Sequence, residues 1–279
     1  MAYGLTIDQV RQTNRPMPHH KHWGSITSLT EMPQYAMYRM EIVTGGAQQL
    51  HFFPSRYQAF VETGEMVVRT LDNAGREHAG TVSAGEVLAL PKFLVHGFAS
   101  AQGAVIYLFG PRTGDPLEEI YAEPPEAAAA ALYALNQKVL PHVGQPTADV
   151  REKYWGRIES IVSDDDIAAK RIFVQKGGQG SLEYHVEKYE TYYIHSGKVK
   201  VGLRIGRAEN RSIVMTPGES YDVRPGVMHL RIGLEDTVII EVSTRDSDSD
   251  SYLVEDGQTY RHIDIDSQPT STEKQEQPA

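Results

Sequence analysis

The sequence predicts an all-β protein of two similar barrel or sandwich domains with one helical segment between them. Three observations carry this expectation. First, the chain repeats itself. Trp23-Gly24-Ser25-Ile26-Thr27-Ser28 is answered by Trp155-Gly156-Arg157-Ile158-Glu159-Ser160, and these copies hold the only two tryptophans. The register continues: Gly45-Gly46 answers Gly177-Gly178 and Leu50 answers Leu182. After a one-residue slip, Gly64 answers Gly197, Gly85 answers Gly218 and His96 answers His229. Two copies of one unit imply two similar domains, and differences between the copies become informative. Second, both halves consist of short apolar runs punctuated by glycine, the pattern of a sandwich or barrel. Third, one stretch alone is alanine-rich and helix-favouring.

The elements follow in order. Residues 1–22 are polar, rich in Pro and His, and read as an N-terminal arm. The first domain is expected over 23–115, with strand-like runs at 37–43, 59–61, 66–68, 87–90 and 104–109. A helical linker is expected over 116–149. Pro125 suits the first turn of a helix that runs to about Val139, where Pro141 stops it. The second domain is expected over 150–260, with strand-like runs at 171–174, 190–195, 199–204, 213–215 and 238–242. Residues 261–279 are expected to form a disordered tail, since 267–279 are mostly Gln, Pro, Ser, Thr and Glu.

Composition narrows the function classes. The 279 residues include no cysteine, which excludes disulfides, thiolate nucleophiles and cysteine-held metals. The formal net charge of −10 argues against a nucleic-acid partner. Part of it is local: Asp246, Asp248, Asp250, Glu255 and Asp256 crowd together with only Arg245 beside them. No stretch approaches the roughly 20 apolar residues of a membrane span, and Met1 to Val10 has no charged start followed by an apolar run. The expectation is a soluble, cytoplasmic protein.

The chemistry concentrates in the second copy. There Gly177-x5-Glu183-x-His185-x4-Glu190-x6-Gly197 is followed by Gly218-x5-Arg224-Pro225-Gly226-x2-His229. Residues 183 and 185 lie two apart, so on a strand they face the same side. Glu190 opens a neighbouring run, and His229 comes from a distant strand. Two imidazoles with one or two carboxylates suit Zn, Mn, Fe or Ni better than Ca. The alternative is a buried, hydrogen-bonded cluster without metal. Glu183 stays open as ligand, general base or polar wall.

This paired frame resembles the two signature motifs of the cupin superfamily, small jelly-roll barrels. The first motif is glycine, five residues, His-x-His, three or four residues, glutamate, six residues and glycine. The second is glycine, five residues, Pro-x-Gly, two residues and histidine. The resemblance implies an all-β fold of two tandem cupin (jelly-roll) β-barrels with a linking α-helix. It also implies one divalent metal, with His185, Glu190 and His229 at ligand positions. Glu183 stands where the family's first histidine usually stands, and Arg224 replaces the usual proline.

Residues 154–257 are similar, more narrowly, to the C-terminal cupin domain of type II phosphomannose isomerase, often fused to mannose-1-phosphate guanylyltransferase. The likeness rests on Tyr154-Trp155-Gly156, Lys170-Arg171-Ile172, Ser181-Leu182-Glu183-Tyr184-His185 with Lys188 before Glu190, Ile240-Glu241-Val242 and Glu255-Asp256. Glu183 replaces that family's usual glutamine, and Lys188 its usual arginine.

In the first copy His51 stands opposite Glu183, Phe53 opposite His185, Gln58 opposite Glu190 and His96 opposite His229. Phe53 cannot ligate a metal and Gln58 ligates one poorly. That barrel therefore reads as degenerate, kept for packing or as a metal-free pocket. Lys170, Arg171 and Lys188 are candidates for neutralising an anionic substrate; the alternative for Lys170 and Arg171 is an exposed basic pair. His19-His20-Lys21-His22 reads as a metal-binding arm or a solvated loop. Tyr184, between two inward residues, is expected to point out of the barrel.

The functional expectation is a metal-dependent isomerase or epimerase of a small sugar, sugar phosphate or related hydroxy-carbonyl compound. Its cofactor is one divalent transition metal (Zn, Mn, Fe or Ni), and Glu183 is the candidate base. The alternatives are an Fe(II)-dependent dioxygenase and a non-catalytic sugar-binding bicupin. The partner is a small molecule, with no nucleic acid or membrane, and the chain is a monomer or homodimer.

Overall fold

Each copy opens on the same forced turn. Trp23 and Trp155 are buried, and their carbonyls accept N–H groups from Val43 (3.0 Å) and Gln175 (2.9 Å). The glycines that follow have φ values of 147° and 150°. A Cβ at Gly24 would lie 1.8 Å from the Glu41 carbonyl oxygen, and one at Gly156 would lie 1.9 Å from that of Phe173. Only glycine permits so close an approach of two strands. The repeat in sequence is thus a repeat in steric requirement.

The structure is a computed structural model and describes residues 6–30, 32–72, 74–112, 120–121, 142–146 and 149–264. The short helix α1 (Ile7–Val10) precedes β1 (His19–Lys21), β2 (Gly24–Ser28), β3 (Ala36–Ile42), β4 (His51–Phe52) and β5 (Tyr57–Leu71). Then come β6 (Glu77–Ser83), β7 (Val87–Leu90), β8 (His96–Ala99), β9 (Ala104–Gly110), β10 (Ile120–Tyr121) and β11 (His142–Gly144). The second half holds β12 (Val150–Lys153), β13 (Gly156–Ser163), β14 (Ile167–Val174), β15 (Leu182–Tyr184), β16 (Glu190–Ser196) and β17 (Val199–Ile205). It closes with β18 (Arg211–Met215), β19 (Ser220–Val223), β20 (Val227–Gly233), β21 (Thr237–Thr244) and β22 (Tyr252–Glu255).

In the first half a single curled sheet runs β1-β2-β3-β9-β5-β8-β4-β10, with β6, β7 and β11 attached at its sides. The long β5 bends through both layers: it pairs β9 and β7 by its start and β6 and β8 by its end. In the second half the corresponding strand is divided at Gly197 into β16 and β17. Two sheets then face each other, β12-β13-β14-β21-β16-β19 and β18-β17-β20-β15-β22. Every pairing of named strands is antiparallel, as in a jelly roll. The sequence-expected helix over 125–139 lies outside the described residues. So does the tail beyond Asp264. Within the stretch expected as linker, β10 and β11 pair with β4 and β7 of the first sheet.

Each barrel has its own apolar core, and a third cluster joins them. Leu29, Met37, Tyr107 and Phe109 from the first half pack with Ile161, Ala169, Ile240 and Val242 from the second. Beside this seam Arg171 pairs with Glu62 at 2.8 Å, and Arg56 pairs with Asp164 at 2.8 Å and with Asp166. The N-terminal arm crosses to the second barrel. Val10 enters that barrel's core, Arg11 donates to the Ser212 carbonyl, and Asn14 exchanges two backbone hydrogen bonds of 2.8 Å with Ser220. The histidine run falls on β1, where His19 and His20 are exposed in an edge strand rather than in a loop.

Candidate metal centre

Strand geometry brings the second copy's motif to one point. β15 carries Glu183 directly across from His229 on β20. His185 follows β15, where its carbonyl accepts the Gly226 N–H at 2.7 Å. Glu190 opens β16. Ligating atoms of Glu183, His185 and His229 all lie within 4.8 Å of one another. Glu190 adjoins the same point, with Oε1 3.4 Å from His185 Nε2 and Oε2 3.1 Å from His229 Nε2.

The imidazoles are preset as ligands. His185 Nδ1 donates to the Asp250 carbonyl at 2.7 Å, and His229 Nδ1 donates to the Val227 carbonyl at 3.0 Å. Nε2 of each ring therefore turns to the interior; burial lowers the His185 imidazole, but Glu190, 3.4 Å from its Nε2, raises it above its ordinary value. His229 Nε2 is buried and makes no hydrogen bond of acceptable geometry despite its nearness to Glu190. A buried lone pair without a partner, beside a second imidazole and two carboxylates, fits a divalent transition ion.

The surrounding charges are dense. Lys188 Nζ sits 2.6 Å from Glu190 Oε1, 2.9 Å from Asp246 and 3.4 Å from Glu241. Lys170 pairs with Asp246 at 2.7 Å and with Glu241 at 3.6 Å. Burial alone would raise the Glu190 carboxyl, but the Lys188 ammonium and the two imidazoles hold it well below the usual range. Glu183 is likewise pushed up by burial and pulled down further by Arg231 and the histidines, so it sits below its ordinary value. Its Oε1 accepts from Arg231 Nη2 at 3.3 Å and its Oε2 from Ser251 Oγ at 3.2 Å.

A cavity of about 310 Å³ opens onto this centre and is lined by Glu183, His185, Glu190, Lys170, Lys188 and Arg231, among others. Of the three basic candidates, Lys170 and Lys188 therefore reach the cavity. Arg171 does not. Adjacent residues on β14 point to opposite faces, so Arg171 turns to Glu62 and Glu159 and stacks on Phe173. Tyr184 stacks on Tyr252 with ring centroids 5.1 Å apart, off the cavity.

Sequence reasoning gave no role to three contributors. Arg231 lies two residues beyond His229 on β20, and Tyr192 lies two beyond Glu190 on β16; both share their neighbour's face. Arg231 donates to the Tyr192 hydroxyl at 3.0 Å, which donates to Glu190 Oε2 at 3.2 Å. Period-two spacing from the motif residues was the available signal. The third is Asp250, whose carboxylate accepts the backbone N–H groups of Val186, Glu187 and Lys188. It fixes the turn that joins His185 to Glu190.

In the first barrel His51 faces His96 across β4 and β8, with rings 4.6 Å apart. Phe53 and Phe98 pack against His96. Burial, aided by His51, pushes His96 down to about 3. No carboxylate joins this pair among the described residues.

The fold is two tandem jelly-roll barrels, with a candidate metal centre in the second. No family model matches the chain. A mutant of Bacillus subtilis oxalate decarboxylase superposes with a TM-score of 0.63 at 18% identity, covering 83% of this chain and 76% of that one. The formate complex of Lactobacillus farciminis oxalate decarboxylase gives 0.61 at 17%, covering 86% of each chain. A Bacillus subtilis oxalate decarboxylase structure concerned with its Mn(II) centres gives 0.62 at 15%, covering 86% and 77%. These likenesses show the fold, two tandem cupin jelly-roll barrels. In sequence, mannose-1-phosphate guanylyltransferase 2 of Escherichia coli O157:H7 is 30% identical over 115 residues, 39% of this chain. That stretch spans 22% of the curated relative's length. Among the described residues no helix is long and apolar enough to cross a membrane.

Proposed function

We propose that the protein is a metal-dependent isomerase or epimerase of a small sugar, sugar phosphate or related hydroxy-carbonyl compound. One observation carries the reading: an ionised carboxylate, Glu183, borders the cavity beside the inward Nε2 atoms of His185 and His229. His185, His229 and Glu190 would hold the ion, which supplies Lewis acidity toward a substrate carbonyl. Glu183 would take a proton from the carbon next to that carbonyl and return it at the carbonyl carbon, the hydroxyl proton passing to the former carbonyl oxygen, or return it to the same carbon on the opposite face. Arg231 and Ser251 fix both oxygens of Glu183 for this transfer. Tyr192 orients Glu190, and Lys188 balances its charge.

Mn(II), named for one structurally similar oxalate decarboxylase, is the first ion to test, followed by Zn, Fe and Ni. The experiment loads the purified chain with each ion and measures aldose–ketose interconversion and epimerisation across aldoses, ketoses and their phosphates. Turnover that requires the ion supports the reading. A second reading, an Fe(II)-dependent dioxygenase, draws on the same two imidazoles and one carboxylate with open positions. Oxygen consumption with Fe(II), without isomerisation of any sugar, would put it in place of the first.

A further inference from the structure

Polar side chains that a barrel ordinarily turns to water are roofed over between the two barrels. Across β1, β2 and β3 the pairing sets His20 beside Ser25 and Ser25 beside Glu41, and in the next row Thr27 beside Arg39. Directly paired residues share a face of a sheet, so these side chains stand together on the outer side of the first barrel. Ile26 and Met40, which alternate with them, fill that barrel's core. The rows are covered from two directions. The arm crosses them with Pro16 and Pro18, and Tyr193 and Gly218 approach from the second barrel. Arg15 pins the arm there, 3.1 Å from the Thr216 hydroxyl and 3.6 Å from the Glu219 carboxylate.

This cover does not fill the space. A cavity of about 340 Å³ remains, enough for one small ligand. Ser25, Thr27 and Tyr193 line it and are only 9, 7 and 8% exposed, yet among the described residues their hydroxyls take no protein partner. Buried hydroxyls are ordinarily hydrogen-bonded, and each of these can both donate and accept. Charge narrows what they would bind. Arg39 and Glu41 stand on the same wall and pair with each other at 2.9 Å. Their charges cancel, while the guanidinium keeps N–H donors and the carboxylate keeps lone pairs for a further partner. A neutral molecule with several hydroxyls can donate to Glu41 and accept from Arg39 at once. An ion would have to split the pair. Pro16, Pro18 and the half-exposed Val43 supply an apolar edge for its C–H faces.

We propose that this cavity between the barrels binds a neutral polyol the size of a monosaccharide, at a site separate from the metal centre. The two cavities share no lining residue, and the proposal is independent of the isomerase reading. The test is calorimetric titration of the purified chain with glucose, mannose, galactose and myo-inositol, beside glucose 6-phosphate and glucuronate. At least one neutral probe should show a binding event with a Kd below about 10 mM that is lost in Val43→Trp and kept in His185→Ala. Val43 lies half-exposed at the cavity's edge, so the larger side chain closes the site without entering a core. Thr27→Val and Tyr193→Phe should each weaken the same event about fivefold, one hydrogen bond apiece. The two charged probes should bind there at least about tenfold more weakly. No neutral binding event that Val43→Trp removes, an event that His185→Ala removes as well, or a charged probe taking this site as tightly would overturn the proposal. Should the Thr27 and Tyr193 variants fail to fold, Val43→Trp and the comparison of probes on the wild type still decide.

Discussion

Lys188 Nζ lies 2.6 Å from Glu190 Oε1, so the carboxylate that faces the two imidazoles is shared with an ammonium group buried as deeply as itself. The ion and the lysine compete for one charge. Replacing Lys188 with Met should therefore strengthen metal binding by at least tenfold. The metal-free chain should lose about 3 kcal/mol, because Glu190, Glu241 and Asp246 lose a buried partner. Urea unfolding with and without Mn(II), beside a metal-binding titration, reads both effects. Weaker metal binding in Lys188→Met would mean that the lysine orients Glu190 rather than competing for it.

Glu183 and Glu190 should separate under the same substitution. Glu190→Gln is expected to lose both metal and turnover, since it removes the negative charge nearest both imidazoles. Glu183→Gln is expected to keep most metal and lose turnover. Elemental analysis alongside isomerisation rates distinguishes them, and loss of metal from Glu183→Gln would make Glu183 a ligand instead of the base.

One equivalent of metal per chain is expected, held in the second barrel. His185→Ala should abolish it, and His51→Ala with His96→Ala should leave it intact. Two equivalents in the wild type would show that the paired imidazoles of the first barrel also hold an ion.

Acid should weaken the fold partly through Asp246. Burial opposes its ionisation, but Lys188 and Lys170 outweigh burial and lower its pKa to about 2. A depressed carboxyl stabilises the folded state fully above its unfolded pKa of about 4 and loses that contribution as pH falls toward 2. Asp246→Asn should remove about 2 kcal/mol at neutral pH and flatten the decline between about pH 4 and 2. Equal acid profiles for the two proteins would contradict this.

At the seam between the barrels, Arg171→Ala should cost about 3 kcal/mol, because it leaves the buried Glu62 carboxylate without its partner. Glu62→Gln should cost less, since burial already raises that carboxyl above its ordinary value. Thermal unfolding of both variants measures the difference. A costlier Glu62→Gln would mean that the seam depends on the negative charge itself.

The fold was legible where a local steric rule governed it. Gly24 and Gly156 are required by a neighbouring carbonyl, so the repeat survives in the sequence. His185, Glu190 and His229 were legible through spacing, because pleat and turn length convert spacing into direction. Charge partners were not legible. Asp246 and Asp250 read as surplus acidity near the C-terminal end, yet Asp246 pairs with Lys170 and Lys188, and Asp250 holds the turn after His185. Those partners are remote in sequence, and only the closed barrel brings them together. Arg171 misled because it adjoins Lys170, and a strand sends neighbours to opposite sides.

The backbone pairs at Asn14 and at Gly144 occupy matching places in the two copies. Asn14, ahead of the first repeat, bridges to Ser220 on β19; Gly144, ahead of the second, pairs with Val87 on β7. Each barrel thus completes its rim with a segment that belongs, by descent along the chain, to the other. This is the reciprocal exchange of a swapped twofold dimer, folded into one polypeptide. Neither barrel is a self-sufficient unit in this arrangement. Cutting the chain between them would leave each half with an unzipped rim, and the barrel without an obvious metal set becomes half of the clasp that closes the one that has it.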